Sequence, residues 1–283
     1  MKWKAWLVIL LLTIVSAQSL AENLSVQKQG FAGQYYPPAR NNTLSPVIVL
    51  GGAEGGIPTR LAEQVAALGY PTLAVAYFKH DALPDELEQI PLEYFDKAKD
   101  WLSDKLPSRS DHITLAGWSK GAELSLLLAS RNTTYNRVVA IAPSSVIWAG
   151  ILNDWQKVPD SSWSAKDESL PCIRFNPTGQ VSGLRDLYSQ SLNNRDDKDA
   201  ATIPVEAIKG QLFLFSGGQD EVWPSSAMSE SICARVKDIA SVSCIHYRYP
   251  KMGHLLDYTF LQPGTVLHEQ FKSSLAGNTS KAL

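Results

Sequence analysis

One serine sits in a setting that can make it a nucleophile. Gly117-Trp118-Ser119-Lys120-Gly121 has the form G-x-S-x-G. A serine hydroxyl attacks poorly until a neighbouring base takes its proton. The pattern alone is weak, but its surroundings add to it. It follows an apolar run, His112-Ile113-Thr114-Leu115-Ala116, and opens a helical run from Ala122 to Ser130. Strand, sharp turn and helix in that order hold the serine in a strained backbone conformation with its hydroxyl above the sheet. A Gly-bounded turn with an inert serine is the plain alternative.

The base must be one of five histidines: His80, His112, His246, His254 or His268. An elbow of this kind is followed in the chain first by an acid and then by the histidine. That order sets aside His80 and His112. His246 lies within a strand, and His268 reads as mid-helix. His254, in Pro250-Lys251-Met252-Gly253-His254, follows a strong strand and falls on a loop at the sheet's carboxyl end. The acid belongs after the preceding strand, where Leu212-Phe213-Leu214-Phe215 runs into Ser216-Gly217-Gly218-Gln219-Asp220. Asp220 would fix the histidine tautomer and stabilise the imidazolium. Its neighbour Glu221 competes for that role, and an Asp in a Gly-Gly turn is also an ordinary turn former.

Acyl transfer also needs donors for a developing oxyanion. The N–H of Lys120, next to the nucleophile, is one candidate. The other should come from Gly51-Gly52-Ala53-Glu54-Gly55-Gly56, after the strand at 46–50. Ala53 is favoured there, with Glu54 as runner-up. A phosphate loop would need G-x-G-x-x-G spacing or a following Gly-Lys-Ser/Thr, and neither is present. The histidines show no paired helical spacing, so no metal or other cofactor is expected.

The elements that must position these residues alternate. Strands are expected at 31–36, 46–50, 72–77, 112–116, 137–142, 211–216 and 243–249. Helices are expected at 58–69, 91–105, 120–130, 226–239 and 264–275. Short apolar strands separated by helices imply a mostly parallel sheet covered on both faces. The stretch from about 143 to 205 breaks the rhythm and reads as a cap insertion over the strand ends. Trp118, Trp148, Trp163 and Trp223 are read either as the lining of an apolar acyl pocket or as core aromatics.

The chain has 283 residues, 45% hydrophobic and 19% charged, enough for a well-buried core. A net charge of −2 argues against a nucleic-acid partner, which needs a basic face. Lys2, Lys4, an apolar run from Ala5 to Val15, and Ser19-Leu20-Ala21 have the form of a secretory signal peptide cleaved near Ala21. An uncleaved N-terminal anchor is the alternative. The expected product is a secreted or periplasmic protein, residues 22–283, without a stable membrane anchor. Export permits disulfides. Cys172, Cys233 and Cys244 are an odd set, and Cys233–Cys244 is the expected pair, against an alternative of three buried thiols.

Further segments give a resemblance. Gly69 to Phe78, Leu83-Pro84, Ile90 to Phe95, Gly117 to Glu123, Pro143-Ser144-Ser145, Gly217 to Ser225 and Gly253-His254 resemble the C-terminal catalytic domain shared by acyl-CoA thioesterases and bile acid-CoA:amino acid N-acyltransferases. The resemblance implies an α/β-hydrolase fold and acyl transfer from a thioester through Ser or Cys, Asp and His, with Ser119, Asp220 and His254 on those positions. Animal members carry a β-sandwich domain ahead of the hydrolase. Here only about 25 residues separate the expected cleavage site from the sheet strand at 46–50, too few for a domain. The expectation is an exported serine hydrolase acting on an acyl thioester or carboxylic ester. A dienelactone-hydrolase-like or general carboxylesterase, and a non-catalytic binding module on this scaffold, are the alternatives.

Overall fold

The apolar runs become strands covered on both sides. In the computed structural model, which describes residues 21–38, 43–109, 111–154, 156–195 and 200–278, the elements follow one another along the chain. They are β1 (Glu22–Leu24), α1 (Val26–Gln29), β2 (Ala32–Tyr36), β3 (Val47–Leu50), α2 (Thr59–Ala67), β4 (Thr72–Ala76), β5 (Ile90–Pro91), α3 (Glu93–Lys105) and β6 (Ile113–Trp118). There follow α4 (Lys120–Arg131), β7 (Tyr135–Ile141), β8 (Trp163–Ala165), β9 (Glu168–Ser169), α5 (Leu184–Asn193), β10 (Gly210–Gly217), α6 (Ser225–Val236), β11 (Val242–Tyr249) and α7 (Val266–Leu275). The expected signal segment lies outside the described residues except for Ala21.

Eight strands form one sheet in the order β1-β2-β4-β3-β6-β7-β10-β11. Only β2 runs antiparallel to its neighbours; the strands from β4 to β11 are parallel. Side chains alternate across a strand, and the two faces take alternate residues. Ile48, Leu50, Leu212 and Leu214 pack under α3, α4 and α6 with Phe95, Leu127 and Ile232. Val47, Val49, Phe213 and Phe215 pack under α2 and α7 with Leu61, Val65 and Phe271. Burying both faces explains why these strands read as unbroken apolar runs. Each fully buried Leu, Ile or Phe contributes about 1.5–3 kcal/mol. Cys233 on α6 and Cys244 on the edge strand β11 form a disulfide with Cα atoms 5.2 Å apart, and Cys172 is a free thiol.

The insertion holds more regular structure than its sequence displays. β8 and β9 join β5 in a separate three-stranded sheet. Isolated bridges tie Val146 to Thr202 and Trp148 to Ile173. An aromatic cluster then fastens the insertion to the segment before α6. Trp148 meets Tyr188 edge-on at 4.6 Å, and Tyr188 meets Trp223 at 5.6 Å. Trp148, Trp163 and Trp223 are all at most 1% exposed, so they stand as core side chains rather than an open pocket lining.

Candidate active site

Strand β6 runs two residues further than expected, through Trp118, and α4 begins at Lys120. Ser119 is the whole of the turn between them. Its φ of 53° and ψ of −121° lie where non-glycine residues are rarely found. Strain of this kind costs about 1–3 kcal/mol and persists only where the surroundings enforce it. Here the two glycines of the motif do so. A Cβ on Gly117 would lie 2.3 Å from the Gly121 carbonyl oxygen, and a Cβ on Gly121 would lie 2.2 Å from that of Leu50. A side chain at Gly117 would push α4 off β6, and one at Gly121 would push it off the end of β3.

The turn delivers Ser119 to His254. The serine Oγ is 2.9 Å from His254 Nε2, and His254 Nδ1 is 2.8 Å from Asp220 Oδ1. A carboxylate can only accept, so Nδ1 carries the proton and Nε2 is free to accept from the serine hydroxyl. Ser119, His254 and Asp220 are 8%, 7% and 1% exposed. Asp220 is held by more than the histidine. Its Oδ1 accepts from the N–H groups of Val222 and Trp223 at 2.9 and 3.1 Å, and its Oδ2 accepts from the Ser225 hydroxyl. Trp223 stands edge-on to the His254 ring with centroids 5.3 Å apart.

Glu221 does a different job from its neighbour. Its Oε2 accepts the backbone N–H of His254 at 2.9 Å, so it fixes the histidine's loop and not its ring. Sequence reasoning missed this anchor and the Ser225 hydroxyl. It also missed Arg185, on α5, whose guanidinium donates to the Asp220 carbonyl at 2.7 Å. The insertion thus grips the acid loop directly.

Three of the other four histidines are hydrogen-bonded elsewhere. His112 Nδ1 meets the Asn136 amide, and His246 Nε2 meets the Ser216 hydroxyl at 2.7 Å. His268 is not mid-helix. It lies in the first turn of α7, with its N–H on the Thr265 hydroxyl and its Nδ1 on the Phe260 carbonyl.

The glycine loop after β3 reaches Ser119. A Cβ on Gly52 would touch Ser119 Cβ at 3.1 Å and Glu54 Oε2 at 2.8 Å. Glu54 Oε1 accepts from Gly52 N–H at 2.9 Å and from Trp118 Nε1 at 2.6 Å. Gly52 is therefore committed, whereas the N–H groups of Ala53 and Glu54 make no hydrogen bond among the described residues. Lys120 N–H, at the start of α4, has no acceptor within its helix. The helix dipole adds positive potential there. Trp118 is 5% exposed, pinned by Glu54 and flanked edge-on by Tyr258 and Phe260. Tyr258 ends a run of left-handed residues, Leu256, Asp257 and Tyr258, with φ of 51°, 51° and 55°. The run turns the chain back from His254 onto Trp118, and Arg60 covers the Tyr258 ring at 3.9 Å.

Beneath the elbow lies a buried ion pair. Lys120 Nζ donates to both oxygens of Glu123 at 2.7 and 2.8 Å. Burial pushes the lysine's pKa down and the carboxyl's up, and the mutual attraction opposes both shifts.

Residues 90–273 match the model of the family described as BAAT / acyl-CoA thioester hydrolase C terminal. The chain is 27% identical over 230 residues to acyl-coenzyme A thioesterase 6 of Mus musculus, covering 81% of this chain and 52% of that protein. It is 25% identical over 232 residues to acyl-coenzyme A amino acid N-acyltransferase 1 of Mus musculus, covering 82% of this chain and 53% of that protein. The chain thus spans about half the length of these curated relatives. In fold it is similar to an esterase from Pyrococcus furiosus, with a TM-score of 0.54 at 16% identity over 92% of this chain and 98% of that one. A mostly parallel sheet with a strained serine at its centre and a family match over residues 90–273 lead to one assignment: the chain is an α/β-hydrolase-fold member of the BAAT / acyl-CoA thioester hydrolase C-terminal family.

Proposed function

We propose that the protein is a serine hydrolase that cleaves an acyl thioester or carboxylic ester through an acyl-enzyme on Ser119. The observation that carries this reading is the unbroken chain from Ser119 Oγ to His254 to Asp220. Ser119 Oγ bonds to the acyl carbon while its proton passes to His254 Nε2. The carbonyl oxygen, now an anion, is met by the N–H of Lys120 and that of Ala53 or Glu54. Collapse expels the thiol or alcohol, which takes the proton from His254. Water then attacks the acyl-enzyme, giving its proton to His254, and Ser119 leaves with that proton. Asp220 keeps the imidazole oriented and offsets its charge in both halves.

The acyl thioester belongs to this reading because curated relatives are acyl-coenzyme A thioesterases. A fluorophosphonate should label Ser119, located by peptide mass spectrometry. Ser119→Ala should abolish the label and lower kcat by roughly 10³-fold or more. A folded Ser119→Ala protein with wild-type turnover would remove the nucleophile from the mechanism. Thioester and oxygen-ester substrates of one acyl chain then decide the leaving group.

The reading includes export. Lys2, Lys4, the apolar run to Val15 and Ser19-Leu20-Ala21 support it, as does the Cys233–Cys244 bridge, a feature of oxidising compartments. An N-terminus at Glu22 in protein recovered outside the cytoplasm is the expected result, and one at Met1 would contradict it.

A further inference from the structure

We propose that the Lys120–Glu123 pair is a positioning unit that aims the Lys120 backbone N–H at the oxyanion and ties that aim to the seating of the insertion. The inference rests on Ser119 being the nucleophile. Lys120 is the first residue of α4, so one residue carries both the oxyanion donor and a side chain that is only 1% exposed. That side chain cannot reach substrate or solvent. It runs instead to Glu123, one turn along the helix and 0% exposed.

Glu123 is the meeting point of two parts of the chain. Its Oε1 accepts from Lys120 Nζ on the elbow side. From the insertion it accepts Trp163 Nε1 at 2.7 Å and Trp148 N–H at 3.3 Å. The Trp163 ring also faces the lysine ammonium, 5.3 Å away. Two residues on separate stretches of the insertion therefore converge on one carboxylate, and that carboxylate holds the residue beside the nucleophile.

Stability alone does not account for the pair. Removing two charges from water is costly, and a well-packed apolar pair of similar volume often serves as well or better. What an apolar pair lacks is direction. A carboxylate with fixed donors on both sides sets the rotation of the first turn of α4, and with it the Lys120 amide. The other constraint on that turn, the contact of Gly121 with the Leu50 and Gly51 carbonyls, sets distance from β3 and not rotation.

The test separates aim from stability. Lys120→Met, Glu123→Gln and the double variant Lys120→Met/Glu123→Met are compared with wild type. Each is assayed on short- and long-chain esters, with rates expressed per Ser119 labelled to completion by a fluorophosphonate. The double variant should melt at or above the single variants. All three should lose about 10- to 100-fold in kcat, as small misplacements of reacting groups do. KM for the short ester should stay within about twofold, because the lost contact acts only in the transition state. The double variant should also lose discrimination between chain lengths. Wild-type kcat and chain preference in the double variant would overturn the proposal. If that variant does not fold, wild-type kcat in Glu123→Gln, which keeps the side-chain volume, would overturn it equally. A wild-type protein that fluorophosphonate does not label at Ser119 would instead fault the nucleophile itself, a result distinguishable from both.

Discussion

Replacing Asp220 by Asn tests the active-site geometry most sharply. The carboxylate's Oδ1 takes the Val222 and Trp223 N–H groups and His254 Nδ1, and its Oδ2 takes the Ser225 hydroxyl. An asparagine of the same shape keeps an acceptor toward the backbone donors and turns its NH₂ toward Ser225, whose oxygen can accept. The fold therefore loses only about 1 kcal/mol. Catalysis loses more. A carboxylate and an imidazolium about 4 Å apart attract by about 4 kcal/mol at an effective dielectric constant near 20, which corresponds to about 10³-fold in rate. With the amide oxygen in the place of Oδ1, His254 keeps its Nδ1 proton and its tautomer, so the lost charge alone sets that figure. Glu221→Gln should cost under about tenfold, because a glutamine oxygen still accepts the His254 N–H. The assay is kcat/KM on one activated ester, with thermal unfolding run alongside. A well-folded Asp220→Asn protein within tenfold of wild type, or a larger loss in Glu221→Gln, would refute the assignment of the acid.

Gly121→Ala places a methyl 2.2 Å from the Leu50 oxygen, so it should destabilise by about 1–3 kcal/mol and cut turnover as the elbow shifts; an unchanged melting temperature and kcat would contradict the close approach. Cys233→Ser should lower stability by about 2–4 kcal/mol, and dithiothreitol should do the same to wild type but nothing more to the variant. Burial lowers the pKa of His246, so the folded protein binds that proton more weakly than the unfolded chain does. Its contribution is complete above the ordinary histidine pKa and fades as pH falls through it. His246→Gln should accordingly flatten the decline of melting temperature between pH 7 and pH 5, and an equally steep decline would reject the assignment.

The candidate triad was legible because each of its side chains stands just past a strand end. Ser119, Asp220 and His254 follow β6, β10 and β11, whose apolar runs announce themselves. The partners that hold them were not. Arg185 reaches the acid loop from α5, which buries only Tyr188 and Ser191, too few for a helical period. β5, β8 and β9 are two or three residues long, and no alternation can show at that length. Glu123 reads as a polar interruption of an apolar helix until Trp148 and Trp163 arrive from the insertion. Contacts between distant segments have no local signature, and the support of this site consists of such contacts.

The strand order also dictates a sequence of assembly. Chain order and sheet order disagree at the centre: β4 flanks β3 on one side, but the opposite edge of β3 waits for β6. During synthesis the backbone edge of Val47–Leu50, all apolar, therefore stays open until the chain has extended past Trp118. Open apolar edges invite pairing with other chains, and non-local pairing is slow. The lag falls in the first half of the chain, and the strained serine turn can close only when it ends. A second wait follows, because β7 must pass the whole insertion before β10 covers it. The last strand, β11, then docks with Cys244 opposite Cys233, so the bridge closes the edge that forms last.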